Sequence, residues 1–195
     1  MNNRRFFITA ALGATVPLQA RPAAPAGART GPGLLTVTGA IGRSNRGPLD
    51  PALDQLMVKH GARFDKAWEF DAAMLGRLPA VTIRPTLEYD AKTHRLSGPL
   101  LSAVVEAVGV EPGAPVMLAL RAIDGYTVAV SLGDARRYRM IVATTLDGVP
   151  MSLGGLGPLW AVYDADRLPD VKDKPLKERY GLCPWGLYAI DVKAL

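Results

Sequence analysis

One cysteine, Cys183, and two histidines, His60 and His94, are the only thiol and imidazole groups in 195 residues. That scarcity excludes an internal disulfide, a multi-cysteine zinc or iron–sulfur site and a three-histidine metal centre. No Cys-x-x-Cys-His occurs, so haem is not attached covalently and any electrons would leave through a separate protein. Aromatic residues make up only 7% of the chain, and no basic stripe interleaves Trp160 and Trp185 as single-stranded nucleic acid would require. The apolar run from Phe6 to Ala20 falls short of the ~20 residues of a membrane span, and Gly13 and Pro17 interrupt it. Acidic residues are absent from positions 1–20, where Arg4 and Arg5 are the only charges. Without that stretch, 21 basic residues face 18 acidic ones, too small an excess to point to nucleic acid.

The remaining composition is that of a folded protein. With 49% apolar and 21% charged residues the chain would collapse into a core, which excludes wholesale disorder. The length suits one domain, and 20 glycines with 16 prolines favour strands and turns over a helical bundle.

Asn2-Asn3-Arg4-Arg5 followed by an apolar stretch and the small residue Ala20 predicts a signal peptide over 1–20. Arg4-Arg5 with Phe7 and Ile8 resembles the twin-arginine export signal; a Sec signal with two adjoining arginines is the alternative. Either route leads to the bacterial periplasm, with no membrane anchor after signal removal. Residues 21–33 lack apolar periodicity and read as a flexible linker, which leaves 34–195 as the folded domain.

Within that domain, Leu34–Ile41 reads as a first strand and Gly42–Pro48 as a loop. Asp50, Pro51 and Gly61 bracket a first helix, and a second is expected from Asp71 to before Pro79. Val81-Thr82-Ile83 is a strand, with Pro85 suggesting a sheet edge. Ser97-Gly98-Pro99 is expected to open a helix whose stripe is Leu100, Leu101, Val104, Val105 and Val108, ended by Gly109. Asp124-Gly125 and Asp147-Gly148 are hairpin turns, and Leu159–Tyr163 and Gly186–Val192 are further strands. Strands grouped with a few helices give an α+β class.

Several segments taken in order resemble the oxidoreductase molybdopterin-binding domain, the fold of sulfite oxidase and small bacterial relatives. They are Leu78-Pro79, Thr86-Leu87-Glu88, Ser97–Leu101, Ile123–Tyr126 running to Leu132–Ala135, Asp147–Met151 and Gly157–Trp160. The resemblance covers nearly all of 34–195. It implies a mixed or antiparallel sheet with a few short helices, holding a molybdenum–pterin cofactor that performs two-electron oxygen-atom transfer. It further implies one cysteine thiolate on the metal, after a Thr-Leu-Glu-like strand end, and a phosphate-binding groove of basic side chains and backbone N–H groups. In this sequence Tyr89 stands in the cysteine's place, and a phenol ionises far less readily than a thiol.

Two functions follow from that departure: an exported molybdopterin-type oxidoreductase, or a cofactor-free periplasmic binding module that kept the fold and lost the chemistry. For the first, Tyr89 would face the metal, with the groove drawn from Arg43, Asn45, Arg84, Lys92, His94 and Arg95. For the second, a small anionic ligand or a partner protein would be bound. Simpler readings stand beside each residue. Lys92, His94 and Arg95 could be a solvated hairpin tip, Arg43 and Asn45 a surface loop, and Arg84 an outward residue. Arg136, Arg137 and Arg139 read as a solvated basic face, Cys183 as a small buried hydrophobe, and Trp160 and Trp185 as core anchors.

Overall fold

The computed structural model describes residues 29–195. The expected signal peptide and the Arg4-Arg5 pair lie outside the described residues, as does the expected linker as far as residue 28. In chain order the elements are β1 (Leu35–Gly39), α1 (Gln55–Lys59), β2 (Trp68–Phe70), α2 (Ala72–Gly76), β3 (Ala80–Ile83), β4 (Leu96–Pro99), α3 (Leu101–Ala107) and β5 (Val116–Ala122). There follow β6 (Thr127–Ser131), α4 (Leu132–Arg137), β7 (Ile141–Ala143), β8 (Thr145–Leu146), β9 (Val149–Pro150), β10 (Trp160–Val162) and β11 (Leu187–Ala194). No helix among the described residues is long and apolar enough to cross a membrane.

The strands form a five-stranded sheet ordered β2-β1-β11-β5-β6, a four-stranded sheet ordered β3-β4-β8-β9 and a β10–β7 pair. In the first sheet β1 and β11 run parallel while the other pairs are antiparallel, so the sheet is mixed. This is the α+β architecture expected, with short helices. The β5–β6 hairpin shows how the pattern dictates the sheet. Val116, Leu118, Leu120 and Ala122 are buried at every second position, and the residues between them are half-buried. Gly125 at φ 93° and an Asp124 side chain accepting from the Tyr126 N–H make the turn. Ser131 then caps α4: its hydroxyl accepts from the Asp134 N–H at 2.9 Å and donates to the Asp134 carboxylate at 2.7 Å.

Asp71 does the same for α2, accepting from the Met74 N–H at 2.7 Å. Its other oxygen accepts from the backbone N–H groups of Thr30, at 2.6 Å, and Gly31, at 3.0 Å, so one carboxylate ties the start of the described chain to a helix. The first helix begins later than expected, at Gln55, because Asp50 organises a separate turn by accepting from Ala52 and Leu53.

A larger difference lies at Ser97-Gly98-Pro99. These residues form strand β4, not a helix start, and the helix begins only at Leu101. Tertiary packing decides this. Gly98 pairs with Val81, and a Cβ there would stand 1.9 Å from the Val142 carbonyl oxygen, so only glycine lets β4 lie this close to β7. The apolar stripe of α3 is as read, with Leu101, Val104, Val105 and Val108 buried. Leu35, Val37, Leu118, Leu120, Leu187 and Ile190 from the mixed sheet join Leu96, Ile141, Val142 and Trp160 in one continuous core.

Candidate functional site

Beyond β3 the chain forms a hairpin-like excursion, with a Thr86–Thr93 bridge and a Leu87 N–H donating to the Lys92 carbonyl at 2.9 Å. Tyr89, Asp90 and Ala91 form its tip, Ala91 taking a left-handed φ of 56°. The base of the excursion is tied to the segment after β10. Asp166 accepts from the Thr86 N–H at 2.7 Å, and the Tyr180 hydroxyl donates to the Thr86 carbonyl at 2.6 Å. The Cys183–Trp185 segment is strapped in turn to β10: the Trp160 indole N–H donates to the Cys183 carbonyl at 2.9 Å, and Ala161 N–H to the Pro184 carbonyl at 3.2 Å.

These two segments enclose a pocket of about 290 Å³ lined by Glu88, Tyr89, Tyr126, Tyr180, Cys183 and Trp185, with Asp124 and Lys177 also on its wall. Aromatic rings run inward from it. Tyr89 lies 6.5 Å from Trp160 between centroids, Trp160 6.2 Å from Tyr180, and Tyr180 6.3 Å from Tyr163. Tyr89 remains half-exposed, and its phenol is pushed up to about 12, by burial first and then by the Glu88 carboxylate. Cys183 is 3% exposed, and burial pushes its thiol up to about 12 as well. Burial also raises the Tyr163 and Tyr180 phenols.

The residues expected to form one groove are dispersed. His94 lines a separate cavity of about 320 Å³ with Arg84, Thr93, Arg95 and Asp147. Both of its ring nitrogens are engaged, Nδ1 with Asp147 at 2.7 Å and Nε2 with Asp90 at 2.9 Å. Those bonds, Asp147's foremost, raise the His94 pKa. The reciprocal contacts lower the two carboxyls, with the Arg95 N–H the largest cause at Asp147. His94 is thus a clamp that ties the excursion to the Asp147-Gly148 turn between β8 and β9. Lys92 is exposed at its tip, and Arg95 is exposed over Gly148. Arg84 is exposed and lines two cavities.

Arg43 and Asn45 line neither the Tyr89 pocket nor the His94 cavity. The Arg43 guanidinium donates to the Ala107 carbonyl at 3.5 Å, and the Asn45 amide exchanges bonds with the Glu69 backbone. Both belong to the loop after β1, which the end of α3 holds at Arg43 and the β2 segment holds at Asn45. Sequence reasoning missed Glu88, Tyr126, Lys177 and Tyr180 as pocket residues, and Trp185, read as a core anchor, packs against the core and also forms part of the pocket wall. The turn-rich run Leu182-Cys183-Pro184-Trp185, just before the last strand, was the available signal.

The donor set does not fit a molybdenum–pterin group. The position where a thiolate is expected offers only the Tyr89 phenol, a harder donor than sulfur, and the one thiol nearby, Cys183, is 3% exposed. A phosphate-bearing ligand would also meet two carboxylates, Glu88 and Asp124, against the single ammonium of Lys177. Among the described residues no group of three His, Cys, Asp or Glu could hold a metal ion. What the pocket can do is stack a flat group on Tyr89 and Trp185 and accept hydrogen bonds through Glu88 and Asp124.

No family model matches the sequence, and no curated protein does. Among solved structures the chain is similar to the sulfane dehydrogenase SoxCD from Paracoccus pantotrophus, with a TM-score of 0.52 at 11% identity. The match covers 83% of this chain but only 38% of that one, so this protein spans well under half of the neighbour it resembles. The likeness is one of backbone architecture, a distant molybdopterin-type fold of the sulfite oxidase kind.

Proposed function

We propose that this chain is an exported, periplasmic binding module that keeps the molybdopterin-type fold without the metal chemistry. One observation carries the reading: the position where a thiolate is expected holds Tyr89, a phenol raised by burial and by Glu88. The thiol that shares its pocket, Cys183, is sealed and raised likewise. The pocket then serves a small ligand with a flat face and hydrogen-bond donors, or a partner protein presenting such a group, gripped by Tyr89, Trp185, Glu88 and Asp124. The likeness to a sulfane dehydrogenase favours the other reading, a molybdenum-dependent two-electron oxidoreductase with a separate periplasmic redox partner.

Metal and pterin analysis separates the two readings. Protein from the periplasm of a molybdate-fed host is expected to carry less than about one-tenth of a molybdenum per chain, because no soft anionic donor meets the metal. Near-stoichiometric molybdenum with a pterin released by acid would overturn the proposal.

A further inference from the structure

A groove of about 610 Å³ runs along β3 and shares no lining residue with the Tyr89 pocket. Its walls are β3 itself (Val81, Thr82, Ile83), then Arg84, the Arg137–Arg139 segment at the end of α4, Asp164 and the run 167–169. Three features coincide there.

First, β3 is an edge strand, paired only with β4. In an antiparallel ladder alternate residues turn their N–H and C=O groups away from the partner. Among the described residues, Ala80–Ile83 make no backbone hydrogen bond outside that ladder. The outer groups therefore open onto the groove, which is the template that an added strand needs.

Second, the groove is strongly basic. Arg84, Arg137, Arg139 and Arg167 line it against a single carboxylate, Asp164. Arg137 is balanced by Asp170 at 2.6 Å and lies over the Tyr138 ring. The guanidinium groups of Arg84 and Arg139 have no hydrogen bond or ion pair among the described residues. Arg139 is moreover held at φ 50°, the left-handed conformation in which a helix usually ends on glycine.

Third, Asp164 is 9% exposed and its Oδ1 has no hydrogen-bond donor, while Oδ2 accepts from the Arg84 N–H at 3.3 Å and pairs with the Arg167 guanidinium at 3.6 Å. That carboxylate thereby fixes the Arg84 backbone at the end of β3, beside the groove. An extended peptide supplies N–H and C=O groups to the open edge of β3, and acidic side chains on it would meet the free Arg84 and Arg139.

We propose that this groove binds an extended acidic segment of a partner protein, added as a strand to the edge of β3. Val81 and Ile83 form the apolar floor, and Arg84 and Arg139 select the charge. The chain's own residues 1–28 are not that occupant, because they contain no Asp or Glu and carry Arg4, Arg5 and Arg21. The proposal gives the binding module a partner class, yet it uses no residue of the Tyr89 pocket. It therefore survives discovery of molybdenum there, and its own failure leaves that pocket's reading intact.

The test uses the full chain and a blocked heptapeptide of alternating Glu and Val, with binding read by fluorescence anisotropy. Micromolar binding is expected, weakened about tenfold or more when Lys replaces Glu in the peptide, and by a similar factor in the protein variant Arg84→Glu/Arg139→Glu. N-methylation of alternate peptide amides, which leaves the charge unchanged, is expected to weaken binding at least about tenfold. Amide shifts in a nitrogen-15 spectrum should move at residues 80–84. Equal binding of the N-methylated peptide, or of a single-stranded oligonucleotide of equal charge, would mean a generic polyanion patch and overturn the proposal. So would the absence of binding at about 1 mM peptide, or a charge-reversed protein that binds as the parent does.

Discussion

Cys183 gives the sharpest check on the chemistry of the Tyr89 pocket, because the binding-module reading needs its thiol to be inert. Burial raises that thiol from an ordinary 9.0 to about 12, three decades less thiolate at any neutral pH. A thiolate of higher pKa is also more nucleophilic, and a Brønsted slope near 0.45 returns about twentyfold over that span. The net is a reaction with a disulfide reagent about fiftyfold slower than that of the same cysteine in the unfolded chain. Restricted access at 3% exposure slows it further. The assay follows release of the chromophoric thiol from an aromatic disulfide at about pH 8, with and without denaturing urea. A native rate within about fivefold of the unfolded one would refute the reasoning, since it would place an available soft donor beside Tyr89.

Three other outcomes follow from the geometry. Asp71→Ala should cost about 2 kcal/mol near neutral pH, because its backbone N–H donors, Met74's first, hold that carboxyl at about 2 instead of 3.8. A depressed carboxyl stabilises above its unfolded value and loses that effect as pH falls towards 2, so the gap between parent and variant in urea unfolding should shrink in acid; a pH-independent gap would contradict this. Gly98→Ala should cost about 3 kcal/mol, as its methyl meets the Val142 carbonyl and β4 must move off β7; an unchanged melting temperature would be the contrary result. His94, raised by Asp147 and then by Asp90, should titrate above 6.5 by NMR, and its clamp stabilises fully below the unfolded value and fades as pH climbs through the folded one; a midpoint at or below 6.5 would show that the clamp does not form.

The parts of this protein that were legible in its sequence are those that local chemistry decides. Asp124-Gly125 and Asp147-Gly148 announce their turns because the required positive φ values suit those residues, and Asp71 marks its helix because its side chain caps it. The strand at Ser97-Gly98-Pro99 was hidden, since its reason is a partner carbonyl some forty-five residues away, and a Gly-Pro step before an apolar stripe looks like a helix start. The same limit governs the candidate site. Arg43 and Asn45 looked like groove residues by composition, but the β1–β2 pairing carries their loop elsewhere. Arg84, Arg139 and Arg167 lie far apart in the chain and become neighbours only once β3 is set beside the segment after β10.

The parallel pairing of β1 with β11, Thr36 opposite Ala189 and Val37 opposite Ile190, sets an order of events during synthesis. The strand at the centre of the mixed sheet is the last of the described strands in chain order, so until Leu187–Ala194 is made β1 has only the short β2 beside it, and β5 lacks its inner neighbour. Such a contact joins the most distant parts of the chain and closes the largest loop, which makes it the slow, late event in folding. A nascent protein interrupted before Leu187 would lack the middle strand of this five-stranded sheet, leaving two edges open to whatever chain is nearest.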